Sequence, residues 1–147
     1  MIFKNKVIKA NRTNNEIKGD AAESQMAFYF KRHFGSSGDI HVINDACISM
    51  NKEYAQIDHL VITPFRTWLI ESKSTSGRFV IDEQGQWVKH INDREYGMAS
   101  PIQQAKLQAK ILQEHFKKYN RRLSNFVRDV MIRIAVSADG IIQDGRE

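Results

Sequence analysis

The chain has 147 residues, a single cysteine, Cys47, and no hydrophobic run long enough to cross a bilayer. One cysteine excludes an internal disulfide and a zinc site built from cysteines. A membrane helix needs about 20 consecutive apolar residues, so no membrane partner is expected. The first twelve residues, MIFKNKVIKANR, have neither a continuous hydrophobic region nor a small-residue cleavage site, which argues against secretion. We therefore expect a cytoplasmic protein.

The sequence also lacks repeats and low-complexity tracts, and its apolar content of 41% is ordinary for a folded domain. Its length fits one domain with one core, so residues 1–147 are treated as a single domain. Residues 138–147 contain no clear closing element, which leads us to expect the N-terminal part of a longer protein. A homo-oligomer is compatible with the sequence.

Acidic residues are outnumbered, at 17 against 22 lysines and arginines, which gives a formal charge of +5 and a pI near 9.4. A basic balance favours an anionic partner, and nucleic acid is the commonest one. Six arginines are candidates for phosphate contacts: Arg66, Arg78, Arg94, Arg121, Arg122 and Arg128.

The most informative stretch is residues 56–73, QIDHLVITPFRTWLIESK, which reads as two apolar strands joined by a short turn. Alternate residues of a strand share a face, so Glu71 and Lys73 project the same way, roughly 6–7 Å apart. The run TWLIES is apolar on both faces, as in a strand covered on both sides. An ion pair at a strand end is one interpretation of Glu71 and Lys73. Asp58, on the preceding strand, favours a functional site instead.

A first helix is predicted over residues 16–34, ending before Gly35. Its spacing places Glu23, Ala27, Phe30 and Phe34 on one face. Glu23 has two explanations that the helix alone does not separate. It either interacts favourably with the helix dipole, or it is a carboxylate directed inward at a positive group.

A second helix is predicted from Ser100, a natural N-cap followed by Pro101, to about residue 118. Its apolar arc includes Leu107, and Gln104 and Gln108 fall inside that arc. An unsatisfied buried amide costs roughly 1–3 kcal/mol, so two inward glutamines indicate a polar site facing this helix.

Further strands are predicted at residues 40–50, 78–82, 86–90 and 130–137, with polar loops at 92–99 and 120–128. The order of elements predicts an α/β domain with a mixed central sheet flanked by helices. Two carboxylates on adjacent strands suit a hard divalent cation such as Mg²⁺. Such a cation makes its bound water acidic, and a neighbouring lysine can orient that water or offset charge on phosphorus. This is equipment for phosphodiester hydrolysis.

These residues resemble the PD-(D/E)XK nuclease superfamily, whose core is αβββαβ and restriction-endonuclease-like. Asp58 and the E-S-K of Glu71–Lys73 match its motif, although Ile57 stands where the motif has proline. The finer resemblance is to the nuclease-related domain, NERD. It is carried by Lys18, Gly19 and Glu23, by QIDHLVI at residues 56–62, by IESK with Gly77 after it, by Trp87, and by Pro101 and Gln104. The sequence departs from that pattern at residues 20–22, which lack a second glycine, and at Ser100, where the family tends to have asparagine.

The resemblance implies roles for individual residues. Asp58 and Glu71 correspond to metal ligands, with the Ser72 carbonyl as a third, and Glu23 corresponds to a residue that touches a metal-bound water or a second metal. Lys73 corresponds to the residue that activates water, and three glutamines to groups that orient water or phosphate: Gln56, Gln104 and Gln108. The implied cofactor is Mg²⁺ or Mn²⁺, and the implied substrate is DNA rather than RNA. His59 points away from Asp58 by strand parity, so we interpret it as a packing or supporting residue.

Two other functions stay open from the sequence. One is a non-catalytic nucleic-acid-binding or assembly module that retains the nuclease fold, and the other is a structural domain whose Glu71–Lys73 pair is only an ion pair.

Overall fold

The computed structural model describes residues 1–7, 13–74, 77–119, 122, 127, 129–137 and 140–144. Their elements, in chain order, are β1 (Ile2–Lys4), α1 (Asn14–Phe34), β2 (His41–Met50), β3 (Glu53–Ile62), β4 (Thr67–Lys73), β5 (Gly77–Ile81), β6 (Trp87–Ile91), β7 (Arg94–Met98), α2 (Pro101–Tyr119), β8 (Val130–Val136) and β9 (Gly140–Asp144). The mixed α/β architecture expected from the sequence is confirmed. No helix in the described part of the chain is long and apolar enough to span a membrane.

The main sheet has five strands in the order β1-β2-β3-β4-β8. Strands β2, β3 and β4 form an antiparallel meander, while β1 pairs parallel with β2 and β8 pairs parallel with β4. The parallel β4–β8 pair requires a crossover, which α2 supplies. The elements α1, β2, β3, β4, α2 and β8 therefore form an αβββαβ core, consistent with a restriction-endonuclease-like fold.

The two helices cover opposite faces of this sheet. Leu60 and Leu69 pack with residues of α2, among them Leu112. Their strand neighbours Val61 and Ile70 pack on the side of α1, which contributes Phe30. Residues adjacent in a strand point to opposite faces, so β3 and β4 are covered on both sides as the sequence predicted.

A second sheet, in the order β7-β6-β5-β9, packs against the start of α2. Its core consists of Phe79, Ile81 and Trp87, which contact Ile102 of that helix. The β5–β6 hairpin was expected. The polar loop predicted at residues 92–99 is wrong, because this segment forms β7.

Strand β7 was not predicted from the sequence because its residues are nearly all exposed and show no apolar alternation. The turn before it was readable: Asn92 and Asp93 have φ of 47° and 60°, the left-handed pair that a tight hairpin requires. The prediction that residues 138–147 hold no closing element is also wrong. Strand β9 pairs parallel with β5 along its whole length.

Element boundaries differ from the predictions by a few residues. Helix α1 begins at Asn14, two residues early, and β3 begins at Glu53, three residues before the stretch in which it was predicted. Ser100 caps α2 as expected, since its Oγ accepts a hydrogen bond from the Gln103 N–H at 3.3 Å. Most of the predicted loop at residues 120–128 lies outside the described residues.

Candidate active site

The site lies where the β2–β3 ladder is interrupted. Asn44 pairs with His59 and Ala46 pairs with Ile57, but Asp45 between them has a left-handed backbone with φ of 51°. Residues Ile43 and Ala46 consequently share the α2 face of the sheet, as Ile57 and Leu60 do, although strict alternation would separate them. A left-handed non-glycine residue is uncommon and concentrates at functional sites.

The interruption frees Asp58 to bind the next strand through its side chain. Pairing of β3 with β4 reaches only to His59 and Ile70. One position further along, the Asp58 Oδ2 accepts a hydrogen bond from the Ser72 N–H at 2.8 Å. Asp58 is only 8% exposed, and its carboxylate is close enough to Glu71, near the point where the two strands stop pairing, to be influenced by the charge of that residue.

Glu71 and Lys73 project from β4 in the same direction, as strand periodicity predicted. Glu71 is 2% exposed, and the Lys73 Nζ donates to its Oε1 at 2.6 Å. The prediction that these two residues form an ion pair is thus confirmed. It does not account for the second buried carboxylate, Asp58, next to the pair.

Helix α2 brings both of its predicted glutamines to this pair. The buried Gln108 donates through Nε2 to the Gln56 carbonyl at 2.8 Å and to the Glu71 Oε2 at 3.4 Å. These two acceptors fix the orientation of the amide, whose buried Oε1 has no hydrogen-bond partner in the described part of the chain. Gln104 accepts from the Lys73 Nζ at 3.4 Å, but it is exposed, so the expectation that it lies inside the apolar arc is wrong. It lies at the rim of the site.

Burial and charge act strongly on Asp58. Burial is the largest influence, and together with the nearby charge of Glu71 it raises the pKa of Asp58 to about 7. The hydrogen bond from the Ser72 N–H and the charge of Lys73 oppose this shift, and the charge of Glu23 adds to it. Keeping both carboxylates ionised therefore costs free energy, through their burial and mutual repulsion, and a bound cation would offset that cost.

Glu23 points at a positive group, and that group is Lys6. The Lys6 ammonium lies within a cluster of three acids, in contact with Glu23 and at 2.9 Å from Asp45 and 3.4 Å from Asp20. Burial lowers the pKa of Lys6, but hydrogen bonds and charges from Glu23 and Asp45 outweigh it and raise the pKa overall. This cluster borders a cleft of about 440 Å³ that also includes Gln56.

Sequence reasoning missed Lys6 and Asp45. No local pattern marks Lys6, because its partners are distant in sequence: Glu23 is 17 residues away and Asp45 is 39 residues away. Asp45 left one readable signal, since a short acidic residue in the middle of the strand IHVINDACISM breaks the apolar alternation.

His59 supports the site from the other face of the sheet, as predicted. Its Nδ1 lies 2.8 Å from the Asn44 Oδ1, and its Nε2 lies 3.1 Å from the Ser72 Oγ. The Asn44 Nδ2 donates to the Lys4 carbonyl at 3.0 Å, so the Asn44 Oδ1 is an acceptor and the His59 Nδ1 carries the proton. The Nε2 then accepts from the Ser72 hydroxyl. Burial is the main reason why the pKa of His59 falls to about 4, which keeps the ring neutral.

Of the arginines predicted to contact phosphate, Arg78 and Arg94 lie in the second sheet, in β5 and β7. Arg66 is in the β3–β4 turn, at the opposite end of these strands from Lys73, and Arg121 and Arg128 lie outside the described residues. Within the described ranges, no group of three or more His, Cys, Asp or Glu side chains is arranged to hold a metal ion. The site consists of two carboxylates, a lysine and two glutamines.

The family comparison covers this whole arrangement. A family model described as "Nuclease-related domain" (NERD) matches residues 18–133, a span that includes most of α1, all of α2 and every predicted site residue. No curated protein and no solved structure matches the chain. The chain belongs to the nuclease-related domain family.

Proposed function

We propose that this protein hydrolyses phosphodiester bonds of nucleic acid, DNA rather than RNA, with Mg²⁺ or Mn²⁺ bound at Asp58 and Glu71. The observation that carries the proposal is the pair of buried carboxylates at the separation of β3 and β4, with the Lys73 ammonium 2.6 Å from one of them. Membership of the nuclease-related domain family supports the same chemistry.

The donor set fits a hard cation. Asp58 and Glu71 would hold it through carboxylate oxygens, and the Ser72 carbonyl would be a third ligand. In a strand, the N–H and C=O of one residue point toward the same neighbouring strand. The Ser72 N–H donates to Asp58, whereas the Lys73 carbonyl accepts from Ser137 beyond β8, so the Ser72 carbonyl faces Asp58. Mg²⁺ commonly takes one or two carboxylates and completes its shell with water and phosphate, so a third acidic ligand is not required.

When bound, the cation supplies an acidified water and a Lewis acid for the phosphoryl oxygen. The chain's own residues do the rest. Glu71 and Gln104 hold the Lys73 ammonium beside the carboxylates, where it orients the attacking water or offsets charge developing on phosphorus. Gln108 holds Glu71 through its Nε2, and its Oε1, which has no hydrogen-bond partner among the described residues, is an acceptor for a water in the site.

Glu23 acts at longer range in this proposal. Its charge raises the pKa of Asp58, so the two carboxylates are close enough to influence each other. Lys6 contacts the Glu23 Oε2. If Glu23 assists at the metal, it does so through its other carboxylate oxygen, Oε1. Gln56 borders the same cleft and is placed to orient phosphate.

The test is cleavage of supercoiled, linear and single-stranded DNA with Mg²⁺ or Mn²⁺. We expect Asp58→Asn, Glu71→Gln and Lys73→Ala each to abolish cleavage and to leave the fold intact, because each removes a ligand or the ammonium. Glu83→Gln, in the exposed β5–β6 turn, is the matched control and should cleave normally. Cleavage that survives both Asp58→Asn and Lys73→Ala would refute the proposal.

One observation favours a second candidate, a non-catalytic nucleic-acid-binding or assembly module. Both oxygens of Glu71 already have partners, Lys73 and Gln108, so this carboxylate is satisfied without a cation. Such a module would bind nucleic acid with an affinity that falls steeply with salt and would show no metal-dependent turnover.

A further inference from the structure

The Lys6 ammonium lies inside a group of three carboxylates. Its side chain is 9% exposed, and its Nζ contacts the Glu23 Oε2, lies 2.9 Å from the Asp45 Oδ1 and lies 3.4 Å from the Asp20 Oδ1. One positive charge against three negative charges leaves the group with a formal charge of −2. Lys6 precedes residues 18–133, the span that the family model matches, so the family comparison gives it no role.

Carboxylate oxygens that converge on one point are also what a hard divalent cation requires. Mg²⁺ is commonly held by one or two carboxylates and keeps several waters. The group borders the cleft of about 440 Å³, whereas a divalent ion with six waters, at about 30 Å³ per water, occupies on the order of 200 Å³. Ligands and space for a cation are therefore both present. The Lys6 ammonium takes the place at which the oxygens meet.

This group is electrostatically part of the candidate active site. The charge of Glu23 is among the causes that raise the pKa of Asp58, so Glu23 acts on a proposed metal ligand. In two-metal sites, the two ions are about 3.5–4 Å apart. A second ion would therefore lie beside the ion at Asp58 and Glu71, where Glu23 is a ready ligand. The Glu23 Oε2, however, is already in contact with Lys6.

The backbone fixes Lys6 in this position. Strand β1 pairs with β2, and the Val7 N–H donates to the Asp45 Oδ2 at 2.7 Å. Lys6 would have to break these contacts to withdraw from the carboxylates. Lys4 lines the same cleft, but its Nζ contacts the backbone carbonyl of Asp45. It is therefore a lysine of similar placement whose contact is with a backbone oxygen.

We propose that Lys6 takes the place of a second divalent ion, so that the chain binds one such ion, at Asp58 and Glu71. Lys6 is a positioning residue, because it holds Glu23 through Oε2 and offsets negative charge beside the metal. An ammonium does not act as a Lewis acid, so hydrolysis depends on a single metal ion. The inference deepens the proposed function and rests on it for that ion.

The test is the number of Mn²⁺ ions bound per chain, counted from the electron paramagnetic resonance of free Mn²⁺ during a titration. We expect one ion for the unaltered protein and two for Lys6→Met, because the three carboxylates then share no cation. Lys6→Arg, which keeps the charge, should bind one ion. The matched control, Lys4→Met, should also bind one. The second ion of Lys6→Met should be lost again in Lys6→Met/Glu23→Gln.

One ion in Lys6→Met would overturn the proposal, and so would two ions in the unaltered protein or in Lys4→Met. Because Lys6→Met removes a buried charge partner, thermal melting with and without Mn²⁺ accompanies the titration. Mn²⁺ should raise the melting temperature of Lys6→Met more than that of Lys6→Met/Glu23→Gln. Equal shifts in the two variants, or a Lys6→Met chain that does not fold even with Mn²⁺, would also overturn the proposal.

The two proposals fail separately. If the unaltered protein binds no Mn²⁺, the metal site at Asp58 and Glu71 is refuted. The count in Lys6→Met then still decides about Lys6: one ion that depends on Glu23 supports its role, and none overturns it. One ion in both the unaltered protein and Lys6→Met refutes only the role of Lys6.

Discussion

At the scale of single residues, the site depends on Ser72, which connects its two faces. The Ser72 N–H holds Asp58 on the side of the carboxylates, while its hydroxyl is held by His59 on the side of α1. The hydrogen bonds continue from His59 through Asn44 to the carbonyl of Lys4, so they join four neighbouring strands. A substitution of His59 should therefore alter the position of Asp58, although the two side chains are connected only through Ser72.

Replacing His59 tests this connection. In His59→Leu, the Ser72 hydroxyl and the Asn44 Oδ1 lose their partner, and each buried unsatisfied group costs roughly 1–3 kcal/mol. His59→Gln retains a donor and an acceptor and should lose less. Urea denaturation measures stability, and the Mg²⁺ concentration for half-maximal cleavage reports on Asp58. We expect that concentration to rise in His59→Leu and to recover partly in His59→Gln; equal values in the two variants would contradict the positioning role.

The raised pKa of Asp58 predicts a pH dependence of stability in the absence of metal. A carboxyl with its pKa raised from 3.8 to about 7 binds its proton more tightly in the folded state, so the free energy of unfolding falls as pH rises from about 4 to about 7. At 1.36 kcal/mol per pKa unit, this amounts to at most about 4 kcal/mol. His59, with its pKa lowered from 6.5 to about 4, acts in the opposite direction between these two values and masks the effect.

The variant Asp58→Asn separates the two contributions. Its amide can still accept the Ser72 N–H but carries no charge. In EDTA, we expect the stability advantage of Asp58→Asn over the unaltered protein to be larger at pH 8 than at pH 5, by a few kcal/mol at most. Urea denaturation at the two pH values measures it. An advantage that is equal at both, or larger at pH 5, would show that Asp58 titrates normally.

At the scale of elements, the N-terminal segment is fastened to the domain beside the site. Strand β1 extends the main sheet, and Lys6 joins this segment to α1 through Glu23 and to β2 through Asp45. The Val7 N–H adds a hydrogen bond to the Asp45 Oδ2 at 2.7 Å. The N-terminal segment thus stabilises Asp45, the left-handed residue at which β2 is interrupted.

Removing Lys6 should expose the cost of this arrangement. Lys6→Met leaves three carboxylates without their shared cation, and breaking a buried ion pair by removing one partner costs roughly 3–5 kcal/mol. The double variant Lys6→Met/Glu23→Gln should be less destabilised than the single Lys6→Met variant, because it removes one of the repelling charges. Urea denaturation of the two variants decides the matter, and equal or greater destabilisation in the double variant would contradict the electrostatic account.

At the scale of the whole molecule, the αβββαβ core could be predicted because its elements bury apolar faces. The run TWLIES was predicted to be buried on both faces, and the stripe of α1 that contains Phe30 was predicted from its helical spacing. The same periodicity placed Glu71 and Lys73 together, and Asp58 was marked by its position on the preceding strand before the resemblance implied its role as a metal ligand. Strands β7 and β9 could not be predicted, since one is almost wholly exposed and the other is recognisable only by its pairing with β5. Two features depend on tertiary structure: the contact between Lys6 and Asp45, and the interruption of β2 opposite Asp58. Their only local sign in the sequence is Asp45 itself, an acidic residue within an apolar strand.

The central claim is that Asp58 and Glu71 form one divalent-metal site. Mn²⁺ binding followed by electron paramagnetic resonance tests it most directly, because free Mn²⁺ is counted without any assumption about substrate. The account predicts Mn²⁺ binding by the unaltered protein that Mg²⁺ displaces, and its loss or severe weakening in both Asp58→Asn and Glu71→Gln, with Glu83→Gln unchanged. Mn²⁺ binding of undiminished affinity in Asp58→Asn would contradict it.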